Sequence, residues 1–196
     1  MLYDFLKVTL APIIWACYRM EIKGAENIPD SGAVIIASNH VSNLDPLLLG
    51  SVVPRRLHFM AKEELFKNPV LGWICRTLGA FPVRRGASDR NAIKKAFDIL
   101  RDGKMLAIFP EGTRSKDGVL RQLAPGTMLI AAKSDATLVP VAIKGHANWR
   151  NPFPKITIRF GKPIPIKPEH QTKEGMAKLT QRLSDDIARL LYRSRW

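Results

Sequence analysis

Short apolar runs alternate with stretches of helical periodicity along almost the whole chain. The runs MEIKG (20–24), AVIIAS (33–38), LHFMA (57–61), GAFPV (79–83), MLAIFP (105–110), ATLVPVAI (136–143) and KITIRF (155–160) read as strands. Between them, PLLLGSVV, PVLGWICRTL, SDRNAIKKAFDILRDG and GTMLIAAKSD carry helical patterns. In the third of these a Ser or Asp cap precedes Ala92, Ile93, Ala96, Phe97, Ile99 and Leu100, and Gly103 follows the last turn. The closing segment GMAKLTQRLSDDIARLLYRSRW sets Met176, Leu179, Leu183, Ile187 and Leu190 on one stripe, which predicts a terminal helix packed on the core. Strands alternating with helices predict an α/β fold, a single domain with a mostly parallel central sheet flanked by helices. No internal repeat, low-complexity tract or linker interrupts it, and 196 residues hold one full core but not two.

The first 20 residues break this pattern. MLYDFLKVTLAPIIWACYRM is apolar around most of its circumference, with Pro12 inside and 11 uncharged residues between Lys7 and Arg19. A spanning helix needs roughly 20 apolar residues, so this run is too short to cross a bilayer. It has no basic region well ahead of it and no small-x-small cleavage site, which argues against a signal peptide. Trp15 and Tyr18 beside Arg19 suit the membrane interface, where amphipathic rings and basic groups settle. The competing reading is a terminal helix docked on the core, and both can hold in part. The expected division is an N-terminal interfacial helix, 1–20, followed by one globular domain, 21–196.

Charge changes the picture. Lys and Arg number 31 against 17 Asp and Glu, a net charge of +14 that suits polyanions: nucleic acid, an anionic bilayer, phosphorylated metabolites or an acidic carrier protein. The cations are dispersed, without a nucleic-acid motif or an aromatic stacking platform, so nucleic acid is not the expected partner. Cys17 and Cys75 sit among apolar neighbours and predict buried free thiols. Four scattered histidines and no HExxH give no expectation of a metal site. The basic, aromatic stretch 55–76 admits two readings. Either Phe66, Leu71, Trp73 and Ile74 dip into lipid beside Arg55, Arg56, Lys67 and Arg76, or these apolar groups are core and the cations a solvated rim.

Two segments at strand ends carry candidate chemistry. NHVSNLDP (39–46) follows AVIIAS, and FPEGTRS (109–115) follows MLAI. In a parallel sheet, ligands bind beyond the carboxyl ends of the strands. Asp45 and Pro46 can simply start a helix, leaving His40 a loop histidine. Alternatively Asp45 orients the imidazole of His40, whose far nitrogen then takes a proton. In the second segment Pro110, Gly112 and Gly118 can make a tight exposed turn, while Glu111 and Arg114 stand where a site wall would form. Arginine offers a rigid fork for phosphate oxygens, and Gly112 lets a ligand approach the backbone. There is no GxSxG elbow and no GxxxxGK[ST] or GxGxxG loop, which disfavours serine acyl-enzymes and nucleotide binding. Ser42 reads as a turn hydroxyl bonded to its own backbone rather than a nucleophile.

NHVSNLD, GAFPVRR, FPEGTRS and LVPVAI, in this order and spacing, resemble the four blocks of the glycerolipid acyltransferases, the family of bacterial 1-acylglycerol-3-phosphate acyltransferase. The likeness runs from about residue 20 to 165, and makes 21–196 an acyltransferase domain. It implies transfer of a fatty acyl group from acyl-CoA or acyl-acyl-carrier protein to the sn-2 hydroxyl of lysophosphatidic acid, giving phosphatidic acid, with no cofactor and no metal. His40 matches the general base and Asp45 the carboxylate that fixes it. Lys62, Arg85, Glu111, Gly112, Thr113 and Arg114 match positions that bind the acceptor, the cations on its phosphate and Glu111 on its glycerol part. The uncharged N-terminal run and the net charge of +14 together predict a peripheral protein on the cytoplasmic face of the cell membrane, attached to an anionic surface through residues 1–20. Arg84 stands where many relatives have an acidic or neutral residue, and Ala124 replaces a residue that is often basic. Two alternatives remain: the same chemistry on another lysophospholipid or on glycerol 3-phosphate, and a non-enzymatic basic module binding membrane or nucleic acid.

Overall fold

A strand buried on both faces needs a continuous apolar run, not alternation. Residues 34–37, VIIA, supply one, and β2 (Val34–Ser38) is buried at every position. The computed structural model describes residues 2–84, 89–115, 117–145, 151 and 153–192. Around β2 it gathers β1 (Glu21–Lys23), β3 (Leu57–Lys62), β4 (Ala80–Val83), β5 (Met105–Ile108), β6 (Thr137–Lys144) and β7 (Thr157–Phe160). Their order is β1-β7-β6-β2-β5-β3-β4, and a two-residue strand, β8 (Ile164–Pro165), pairs with β6 off this path. The core from β6 to β4 is parallel; β7 and β8 run antiparallel to β6. The seven strands expected from the sequence are all present, and β8 is an addition to them.

The period-2 geometry of the strands sends alternate residues to opposite faces. Ile35, Ala37, Leu106 and Ile108 join α4 (Arg90–Arg101), α5 (Pro125–Ala132) and α6 (Lys173–Tyr192) on one side. Val34, Ile36, Met105 and Ala107 join α2 (Asp45–Val52) on the other, with Ile14 and Tyr18 of α1 (Leu2–Tyr18) against its edge. Leu179, Leu183, Ile187, Leu190 and Leu191 of α6 are all buried, so the C-terminal stripe closes the core. Asp89 caps α4 by accepting from the Asn91 and Ala92 N–H groups, and Gly103, at φ 69°, ends it.

These connections position the site. From β2 the chain passes through α2 on one face to β3; from β5 it passes through α5 on the opposite face to β6. Because β2 and β5 are neighbours, the two exits part above their carboxyl ends and leave a crevice there.

The N-terminal segment is both docked and exposed. The helix α1 runs through Pro12, with Tyr3 and Ala11 buried. Lys7 donates to the carbonyls of Val53 and Pro54, and the Trp15 indole donates to Ser51 Oγ at 3.2 Å. Its outer side leaves Phe5, Val8 and Ile13 at 64%, 72% and 58% exposed. On α3 (Pro69–Thr77) only Gly72 is buried, while Val70, Leu71, Trp73 and Ile74 face outward. The reading of Leu71, Trp73 and Ile74 as core is therefore wrong. So is the expectation of buried thiols: Cys17 is exposed and Cys75 half-exposed, because their apolar neighbours on α1 and α3 themselves face outward.

Candidate active site

Where β2 ends, the chain is held by side chains in place of a continued ladder. The Asn39 amide accepts from Ile143 N at 2.8 Å and donates to Ile143 O at 2.9 Å, extending the attachment of β2 to β6. His40 follows, 6% exposed. Its Nδ1 lies 2.8 Å from Asp45 Oδ2, and the same oxygen accepts from Val41 N at 2.7 Å and Ser42 N at 2.8 Å. A carboxylate oxygen can only accept, so Nδ1 carries the hydrogen, and in the neutral ring Nε2 presents its lone pair. Among the described residues Nε2 has no hydrogen-bond partner and is not sealed from solvent.

The five-residue spacing works because the loop folds over the carboxylate. Asp45 N donates to Ser42 O at 3.2 Å, and Ser42 Oγ accepts from Leu44 N at 3.2 Å, as expected of a turn hydroxyl. Asp45 opens α2 but does not cap it, since Leu44 occupies the cap and the carboxylate points back into the loop. The helix does start at Asp45 and Pro46, as one reading expected, but Asp45 is not its cap and His40 is not left without a partner. Asp45 is fully buried, and among the described residues its Oδ1 has no hydrogen-bond partner. The Phe109 ring stacks on His40 with centroids 4.0 Å apart and planes 21° apart, closing one face of the imidazole.

The loop after β5 grips the same peptide. Glu111 accepts from His40 N through Oε1 at 2.8 Å and from Arg121 N through Oε2 at 2.9 Å. Ser115 N donates to His40 O at 2.7 Å. Glu111 is 6% exposed, and burial pushes its carboxyl above the ordinary range, against the pull of the two backbone donors. Gly112 makes the turn with φ 70°, a left-handed conformation suited to glycine, and donates to Phe109 O at 3.0 Å.

The structure thus brings His40, Asp45 and Glu111 into one bonded unit. Gly112, Thr113 and Arg114 are exposed on the adjoining loop, and Lys62 is exposed at the end of β3. Neither the Lys62 nor the Arg114 side chain forms a hydrogen bond or ion pair with a described residue. Arg84 differs: its Nε lies 3.1 Å from Glu63 Oε2, with the side chain 72% exposed. Arg85 lies outside the described residues. Asn39, Phe109 and Ser115 lie at the ends of the two segments singled out from sequence, which gave none of them a role. Chemically, the unit can take a proton at Nε2 from a hydroxyl presented at the crevice and stabilise the resulting imidazolium against Asp45.

Residues 19–144 match the family model described as Acyltransferase. The chain is 32% identical to the 1-acyl-sn-glycerol-3-phosphate acyltransferase of Bacillus subtilis (strain 168), over 96% of each chain. To a chloroplastic 1-acyl-sn-glycerol-3-phosphate acyltransferase of Arabidopsis thaliana it is 35% identical, over 67% of this chain and 38% of that one. The crystal structure of the 1-acyl-sn-glycerophosphate (LPA) acyltransferase PlsC from Thermotoga maritima aligns with a TM-score of 0.78 at 26% identity. That alignment covers 99% of this chain and 82% of the other.

Proposed function

We propose, since this chain belongs to the Acyltransferase family, that it transfers a fatty acyl group from a thioester to the sn-2 hydroxyl of 1-acylglycerol 3-phosphate. His40 Nε2 takes the hydroxyl proton as the oxygen attacks the thioester carbonyl. The tetrahedral intermediate collapses, the C–S bond breaks, and the imidazolium returns the proton to the departing thiolate. The products are phosphatidic acid and a free thiol. One observation carries this reading: the 2.8 Å contact that fixes Nδ1 on a buried carboxylate and leaves Nε2 free at the crevice. General-base assistance of this kind is typically worth ~10²–10⁴ in rate.

Recognition of the acceptor falls to Lys62, Arg85 and Arg114. A phosphomonoester carries nearly two negative charges, its second pKa being about 6, and two guanidinium forks with an ammonium complement it. A shallow apolar cleft between α1 and α2, lined by Leu6, Leu10, Ile14, Pro46 and Leu47, adjoins Asp45 and offers apolar surface to an acyl tail. The donor is acyl-CoA or acyl-acyl-carrier protein, with no cofactor or metal involved. The test is thiol release from each donor by purified protein. The release should require lysophosphatidate, yield phosphatidate and survive chelators. Release with glycerol 3-phosphate instead would move the acceptor, and none with any acceptor would leave a binding module.

Membrane attachment is proposed as peripheral, on the cytoplasmic face. No helix among the described residues is long and apolar enough to cross a bilayer. The outward Phe5, Val8 and Ile13 of α1, with Val70, Trp73 and Ile74 of α3, support lipid contact, and the charge of +14 favours an anionic surface. Phe5→Asp with Val8→Asp leaves the buried side of α1 intact, so it should release folded protein from anionic vesicles. Unchanged binding would refute the anchor.

A further inference from the structure

We propose that Glu111 is a positioning residue that acts through His40, not a contact to the acceptor. The inference rests on the reading of His40 as general base. Two backbone N–H groups, one from His40 in the loop after β2 and one from Arg121 in the segment before α5, converge on the Glu111 side chain. The two donors reach different oxygens, His40 N at Oε1 and Arg121 N at Oε2. A carboxylate supplies both, whereas the amide of glutamine supplies one and would turn an N–H group toward the second donor. The requirement explains why an acid sits here although no Lys or Arg forms an ion pair with it among the described residues.

The geometry around it points the same way. The turn closed by Gly112 directs residue 111 inward while Thr113 and Arg114 remain exposed. Ser115, from the same loop, donates to His40 O at 2.7 Å, so one loop holds the His40 peptide by both its N–H and its carbonyl. Asn39 fixes the preceding residue to β6 through two bonds of 2.8 and 2.9 Å. With the peptide held and Asp45 setting the ring, the reach of Nε2 into the crevice is determined by the β5 loop. A misplacement of about 1 Å in such a group can cost roughly 10² in rate, so the brace has a direct kinetic consequence.

Glu111→Gln in the full chain, assayed on vesicles, separates the two roles. A positioning role predicts a fall in kcat of roughly ten- to a hundredfold, with KM for lysophosphatidate and thioester within about twofold of wild type. A severalfold rise in acceptor KM with kcat unchanged would overturn the proposal and return Glu111 to the acceptor site. Should the variant fail to fold, the ¹³C carboxyl resonance of Glu111 in the unaltered protein answers the question. It should hold still on saturation with lysophosphatidate, and a clear displacement would overturn the proposal. Full turnover in folded His40→Ala protein would remove the general-base reading and this proposal with it, whereas a raised acceptor KM in Glu111→Gln removes this proposal alone.

Discussion

The corner around His40 and the cation rim lie at the carboxyl ends of the strands and are built in opposite ways. At the corner the His40 peptide, ring nitrogen and ring face are all engaged, by Glu111, Ser115, Asp45 and Phe109. Along the rim Lys62 and Arg114 stand exposed with no partner among the described residues. The difference teaches where each kind of work is done. A proton acceptor must be placed before the substrate arrives, because its contribution depends on geometry within fractions of an ångström. A phosphate-binding cation instead gains its partner from the ligand and can wait in water until then. Substitutions at the corner should therefore act on kcat, and substitutions at the rim on acceptor KM.

The largest effect is expected at Asp45. Asparagine keeps the volume but can donate toward Nδ1, favouring the tautomer with the wrong nitrogen protonated. Turnover of Asp45→Asn should fall by about 10²–10⁴ while acceptor KM stays close to wild type, measured by thiol release. A rise in acceptor KM at unchanged kcat would dissolve the distinction between the two regions. Next comes Arg114→Ala. Losing a charged hydrogen-bond donor is worth about 1.5–3 kcal/mol, so KM for lysophosphatidate should rise roughly tenfold or more while that for the thioester holds. A defect confined to the thioester would mean that the rim reads the donor. The smallest effect belongs to Arg84→Ala, whose guanidinium is already paired with Glu63 in an exposed ion pair. Steady-state constants should move by less than about twofold, since such pairs are worth little. A large change would enrol Arg84 in the site.

How far the sequence could be read depends on the range of the contact. The dyad was legible because His40 and Asp45 fall within one octapeptide, and the loop that joins them needs only local turn chemistry. The strands were legible too, since β-branched runs such as VIIA in β2 and TLVPVAI in β6 mark buried strands directly. The role of Glu111 was not, for its partner lies 71 positions away, and the Asn39 clamp spans 104. Strand order settles those pairings, and periodicity carries no information on order. The two-residue β8 is shorter than any window in which alternation can be seen. Cys17 and Cys75 were misjudged for a related reason: apolar neighbours mark a face, and on α1 and α3 part of that face is turned outward.

The central claim is that His40 Nε2 removes the acceptor's proton, and His40→Ala tests it most directly. Lysophosphatidate-dependent thiol release should be measured with the variant at saturating donor and acceptor, alongside circular dichroism to establish that the fold is intact. The account predicts a loss of turnover of about 10²–10⁴ in folded protein that still binds lysophosphatidate. Turnover close to wild type in that same folded protein would contradict it.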